Sequence, residues 1–354
     1  MDNVWIAYLL VPFVKILIIL LAVILIAAYM SFAERRIVAF MQIRLGPNRV
    51  WPRGWLQPIA DALKLLVKED IVPARAEKFI YMLAPALMII PSLVVFSVIP
   101  FAPATTLFGV FKQPIEPYLA DLNVGVLFVL GVSSVGIYGV ILGGWSSNNK
   151  FSLMGALRSA AQLISYEVPM GLAVVAVLLM SGTLSLVGII EAQRSQGVWY
   201  IFPGIVAFFL YLACGVAETN RNPFDLPEAE SELVAGYHTE YSGMKFAFYF
   251  LAEYANMTVI SCMITVLFFG GWLPPFPNWL AAAWSSPALA WIPPFAWFAV
   301  KVAFFLFCYI WFRGTFPRYR FDQLMHLGWK VFIPVSLANV MVVALLVLLV
   351  GGGK

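Results

Sequence analysis

Charge is scarce in this sequence: 22 Lys and Arg and 18 Asp and Glu make up 11% of its 354 residues, against roughly 25% in an ordinary soluble domain. With 62% of the residues hydrophobic, a water-soluble fold could not cover its apolar surface, so that class is excluded. Cysteine is nearly absent. Cys214, Cys262 and Cys308 stand alone without CxxC spacing, which points to packing rather than to a disulfide framework or a thiolate metal site. The two histidines, His238 and His326, are too few for a metal or haem centre. Neither GxGxxG nor a Walker sequence occurs, so the polypeptide is not expected to hold NADH or ATP itself.

What is present is length in apolar runs. A helix needs about 20 apolar residues to cross a bilayer, and eight runs qualify, near 5–32, 79–101, 122–145, 160–181, 199–217, 243–270, 294–312 and 331–350. The alternating pattern of a membrane β-barrel is missing, and otherwise only helices satisfy every backbone group in hydrocarbon. The expected fold is therefore an all-α integral membrane protein, one domain over 1–354, with about eight transmembrane helices. The start, Met1-Asp2-Asn3, lacks a basic stretch and its apolar run is too long for a signal peptide, so the first run is read as a retained span.

A pI near 8.9 could suggest nucleic acid, but the placement of the basic residues argues otherwise. With eight spans, most Lys and Arg fall in alternate loops and span ends, at 33–78, 150–158, 221–245 and 313–330, whereas Lys112, Arg194 and Lys354 lie opposite. Lys15 and Lys301 sit inside spans, within snorkelling reach of the second side. This is the positive-inside pattern, with both termini on the outer, periplasmic side. The connections near 102–121 and 271–293 are Pro- and Trp-rich and read as rigid covers on that outer face.

Chemistry is expected on the inner face. At 54–70, GWLQPIADALKLLVKED places Gln57, Asp61, Lys64 and Lys68 at helical spacing among Trp55, Ile59, Leu63 and Leu66. Too short and polar to span, it reads as an interfacial amphipathic helix. It serves either as a surface anchor or as the frame of a lateral opening for a lipid-soluble substrate. Glu167 and Glu253 lie inside spans. An ionised acid at a helix centre costs about 2.5–3.5 kcal/mol on insertion scales, so each is expected to face a hydrated interior, or else to stay protonated between helices. In the part 218–240 of the inner loop 218–245, Glu218, Asp225, Glu228, Glu230, Glu232 and Glu240 stand against Arg221. Crowded acids raise one another's proton affinity and can titrate as a set. Pro223 and Pro227 disfavour regular helix there, which suits a cavity wall. Near the first span, Glu34-Arg35-Arg36 precede Arg44 and Arg49; membrane anchoring accounts for many of these arginines, and a Glu–Arg pair for others.

Two stretches, GWLQPIADALKLLVKE at 54–69 and PFDLPEAESELVAG at 223–236, resemble signature motifs of the membrane subunit called H in bacteria and subunit 1 in mitochondria. It belongs to respiratory complex I, the proton-translocating NADH:quinone oxidoreductase. AERR at 33–36, RLGPNR at 44–49, SYEV at 165–168 and AETNRNPFD at 217–225 fit the same family, over essentially the whole chain. The resemblance implies a subunit that joins the redox arm to the pumping membrane arm of an inner-membrane enzyme. Arg35, Arg36, Arg44, Asp61, Phe224 and Asp225 would line the quinone entrance and chamber. Glu34, Glu167, Glu218, Arg221, Asp225, Glu228, Glu230, Glu232 and Glu253 would relay protons or charge. Quinone would be the substrate, with FMN and iron–sulfur clusters in partner subunits. The implied partners are soluble quinone-site and iron–sulfur subunits, small membrane subunits, antiporter-like subunits and the lipid bilayer, with no nucleic acid. Two rivals remain: a quinone-independent membrane subunit of a hydrogenase or ferredoxin-linked complex, and a stand-alone ion transporter.

Overall fold

The protein is described by a computed structural model covering residues 10–104, 116–226, 234–275 and 292–351. The described residues form helices α1 (Val11–Met41), α2 (Gln57–Val67), α3 (Lys78–Val94), α4 (Gly125–Ser146), α5 (Lys150–Ser181), α6 (Leu186–Gln196) and α7 (Ile205–Glu218). They continue with α8 (Gly243–Phe268), α9 (Pro294–Thr315), α10 (Phe321–His326) and α11 (Ile333–Gly351). A π-helical stretch, Leu327–Phe332, makes α10 and α11 continuous.

Loop contacts separate the bundle's two ends. At one end Leu119 and Ala120 donate to Ser97, Val126 to Leu184 and Ile201 to Phe268. At the other, Glu77 donates to Ser146, the Asn148 side chain to Arg75, the Ser242 hydroxyl to Glu69, and Tyr319 to Pro223. Over the described residues the chain therefore passes between the ends eight times, and the Lys- and Arg-rich loops described share the second end, as their sequence order requires.

Among the described residues seven helices, counting α10 to α11 as one, are long and apolar enough to cross a bilayer. The run expected near 199–217 differs: α7 has 14 residues, about 21 Å at 1.5 Å per residue. Pro203 and Gly204 delay its start, and the loops at both its ends sink into the bundle, with Tyr200, Thr219 and Asn220 buried. Protein rather than length thus completes this passage. By contrast α1 and α5, of 31 and 32 residues, outrun their expected spans at the basic end, where α1 carries Glu34–Arg36 beyond the apolar stretch. Pro169 lies inside α5 without breaking it.

α8 is the central post. Of its most apolar 18-residue window 83% is buried, against 11% for α1, so its side chains meet other helices, not lipid. The carbonyl groups just past its end are gathered by Lys301 of α9, whose ammonium donates to Phe269, Gly271 and Leu273 at 2.7, 2.9 and 2.6 Å and lies 4.6 Å over the Trp199 ring. A cation there satisfies orphan carbonyls and complements the helix dipole.

α2 lies against α1 and α8 with Gln57, Pro58 and Asp61 turned inward, while Ile59, Leu63, Leu66 and Val67 are exposed. Its apolar face therefore points away from the bundle, as an interfacial helix requires. The link into α2 needs Gly54. Its φ is +82°, and a Cβ there would stand 2.2 Å from the Pro47 carbonyl oxygen, so only glycine lets the two turns touch.

Candidate functional site

Three helices and one loop converge toward the basic end. α1 brings Glu34, α8 brings Glu253 and Tyr254, α9 brings Arg313, and the turn after α7 brings Arg221. Glu34, Arg221 and Glu253 are 5%, 8% and 4% exposed, so their charges are removed from water and must compensate one another. Arg221 Nη1 lies 3.3 Å from Glu34 Oε1 and its Nη2 3.6 Å from Glu253 Oε2. Arg313 forms a second ion pair with Glu34. The Tyr254 hydroxyl donates to Glu34 Oε2 at 2.8 Å, and the Tyr237 hydroxyl to Glu253 Oε1 at 2.8 Å. The Arg221 guanidinium also stacks 4.6 Å over the Tyr254 ring, a contact a planar cation makes better than an ammonium.

Asp225, four residues past Arg221, pairs with Arg318 at 2.9 Å. Burial pushes its carboxyl up, partly offset by Arg318 and Arg221, while Glu253 adds to the rise. Burial likewise holds the His238 imidazole below its ordinary value against the pull of Glu253, which favours a neutral ring beside the cluster.

Deeper in the bundle, Glu218 at the end of α7 lines a small cavity with Ser133, Met170, Tyr211, Asn256 and Ile260. The cavity has room and polar partners for a water molecule. Glu218 Oε2 is buried without a partner among the described residues, so such a water would satisfy it. Glu167 of α5 accepts from Ser134 of α4 and stands within electrostatic reach of Glu218. Tyr309 lies within similar reach of both Glu218 and Arg221. Buried and half-buried acids thus extend from the loop end of the bundle into its middle.

The sequence candidates divide accordingly. Glu34, Arg221, Asp225 and Glu253 come together at the basic end; Glu218 and Glu167 form a second, deeper group. Phe224 is buried between the rings of Tyr166 at 5.4 Å and Tyr319 at 5.7 Å. Arg35 pairs with Asp61, but their side chains are 43% and 35% exposed, so this pair adds little stability and faces the rim beside α2. Arg36 donates to the Arg53 carbonyl at 3.0 Å and Arg44 to Gln42 at 2.7 Å; neither joins the buried cluster. Glu240 is held apart by Asn149. Glu228, Glu230 and Glu232 lie outside the described residues.

Several partners escaped sequence reasoning. Arg313 and Arg318 counted there only as basic-end charges, and Tyr237, Tyr254, Tyr309 and Ser134 not at all. A tyrosine beside a buried acid, as in Glu253-Tyr254, was a usable signal. Nothing in spacing tells that Tyr254 serves Glu34, 220 residues away.

Known proteins resemble this chain along most of its length. The family model described as NADH dehydrogenase matches residues 14–344. The H subunit of the NADH-quinone oxidoreductase of Rickettsia felis is 52% identical over 334 residues, covering 93% of this chain and 91% of the relative. The protein of the same name from Rickettsia conorii is equally similar. The first of the numbered H subunits of the NADH-quinone oxidoreductase of Geobacter sulfurreducens is 47% identical over 342 residues, with 94% of each chain covered.

Proposed function

The chain belongs to the NADH dehydrogenase family, and from that premise we propose that, as the membrane subunit of an NADH:quinone oxidoreductase, it walls the quinone chamber and turns quinone reduction into a charge signal along its buried acids. The observation that carries this is the Glu34–Arg221–Glu253 cluster, with Asp225 beside it and Glu218 and Glu167 behind. Isolated buried carboxylates are costly and survive where cations and hydroxyls hold them. A row of them has two charge states close in energy.

Reducing a quinone to a quinol consumes two electrons and two protons. The electrons would come from iron–sulfur centres in partner subunits, and the negative charge would develop where Glu34 and Asp225 can feel it. A carboxylate near new negative charge gains proton affinity. Glu34 or Asp225 would then bind a proton, loosening its pair with Arg221 or Arg318 and freeing the guanidinium to turn toward the other acid. Arg221 already touches both Glu34 and Glu253, so a small shift of its head redistributes charge between α1 and α8. Tyr309 and the cavity water would carry the change to Glu218 and Glu167, from which antiporter-like partners would receive it.

The exposed apolar face of α2, with Arg35 and Asp61 at its inner edge, suits a rim over which an oily quinone tail enters from the bilayer. Arg36 and Arg44 belong on that rim too. The enzyme would sit in a bacterial inner membrane with the basic end inside, in contact with the soluble quinone-site subunits. The relatives' names, all subunits of a quinone enzyme, favour this over a stand-alone transporter or a hydrogenase-linked subunit.

The test is Glu253→Gln in the assembled complex. Quinone-dependent NADH oxidation and proton pumping should fall at least about tenfold, on the scale of one removed buried charge partner. NADH oxidation by an artificial acceptor that draws electrons upstream should stay at the unmodified level. Undiminished pumping with quinone would remove the cluster from the relay.

A further inference from the structure

One strand of the site is held by a segment that does not itself belong to it. After α7 the chain turns through 221–226, and three contacts fasten this turn to 316–320, the link between α9 and α10. The Tyr319 N–H donates to the Pro223 carbonyl at 3.1 Å. The Phe224 and Tyr319 rings lie 5.7 Å apart and only 22° from parallel. Arg318 Nη2 meets Asp225 Oδ2 at 2.9 Å. On the opposite side, Gln162 of α5 donates to the Phe224 carbonyl at 2.9 Å. The turn is therefore clamped between a helix and a loop.

The backbone contact could be made by any residue but proline, so it does not explain the side chains. The other two select residue type. Arg318 is 34% exposed at the side chain and Asp225 20%, so the carboxylate is withdrawn from water further than its cation. Removing the cation would leave a half-buried carboxylate uncompensated. Asp225 Oδ1 is buried without a partner among the described residues, so the direction of this carboxylate is set through Oδ2 and Arg318. A planar guanidinium fixes that direction; an ammonium fixes mainly charge.

We propose that Arg318 and Tyr319 are positioning residues for the quinone reaction, strapping the turn 221–226 so that Asp225 and Phe224 face the chamber in a single orientation. The inference rests on the proposed placement of Asp225 at the chamber. Arg318 acts only through Asp225, and Tyr319 only through Phe224.

A double-mutant comparison in the assembled complex tests this, using a short-chain quinone that the unmodified complex reduces. Arg318→Gln should raise the apparent KM for quinone about tenfold, the scale of coupling between touching charged residues, with upstream NADH oxidation unchanged. Arg318→Lys should recover part of that loss; Tyr319→Ala, which removes the ring stack, should also raise the apparent KM, Tyr319→Phe should restore it, and an unchanged KM in Tyr319→Ala would strike Tyr319 from the strap. Combined with Asp225→Asn, Arg318→Gln should add nothing beyond Asp225→Asn alone. If Asp225→Asn leaves quinone kinetics untouched, the chamber placement fails. If Asp225→Asn impairs the enzyme but Arg318→Gln adds its full effect on top, Asp225 stays at the site and the strap is overturned. Failure of both Arg318 variants to assemble would assign Arg318 to folding alone and overturn it equally.

Discussion

Arg221 pairs with two buried carboxylates at once, and Arg313 supplies the second cation. An ion pair taken out of water gains little net stability, yet removing one partner costs about 3–5 kcal/mol because the other is left charged and dry. The cluster is thus worth more as a switch than as a brace. Asp225 shows the same physics through pH. Burial raises its carboxyl despite Arg318, so the folded chain holds this proton more tightly than the unfolded one. The stability it contributes is full below the ordinary carboxylate value and is lost as pH rises through the raised one. Thermal inactivation of the purified complex, followed from acid toward neutral pH, should therefore show a greater loss of stability in the parent than in Asp225→Asn. Parallel profiles would show that Asp225 is not the group responsible.

At the scale of elements, small residues set how closely the site's supports approach. Gly155 of α5 packs against the turn that carries Tyr237, where a Cβ would stand 2.7 Å from Gly236 Cα, both partners being backbone. That turn presents the Tyr237 hydroxyl to Glu253, and Ser152 fixes it by donating to the Tyr237 carbonyl at 2.9 Å. Gly171, on the same helix, has nothing within 4 Å of its Cβ position. Gly155→Val should cost about 1–3 kcal/mol by forcing the turn off the helix and should lower both assembly and quinone turnover. Gly171→Ala should be neutral or slightly stabilising, since alanine is the better helix former. Blue-native electrophoresis and thermal inactivation of the two variants check this, and equal behaviour would contradict the packing. α7 illustrates the converse: it crosses with 14 residues because buried loops, not lipid, meet its ends.

For the whole molecule, the segregation of basic loops fixes an orientation. A membrane-impermeant maleimide should label Arg194→Cys in intact spheroplasts, whereas Arg49→Cys should react only after permeabilisation. The native Cys214 and Cys262 are buried and give little background. The opposite labelling pattern would invert the protein in its membrane. Composition and apolar run length alone reached the all-α membrane class, seven of the eight expected runs being helices long and apolar enough to cross among the described residues, because bilayer thickness acts on each segment separately. The motifs at 54–69 and 223–236 reached the family. Folding decided the rest: that Glu34 meets Arg221 and Tyr254, that Arg313 and Arg318 are partners of acids rather than anchors, that Glu218 opens on a cavity, and that Arg36 and Arg44 stay at the rim. These pairings join residues about 90 to 280 positions apart. They depend on how helices rotate and lean against one another, which no local pattern of hydrophobicity or charge encodes.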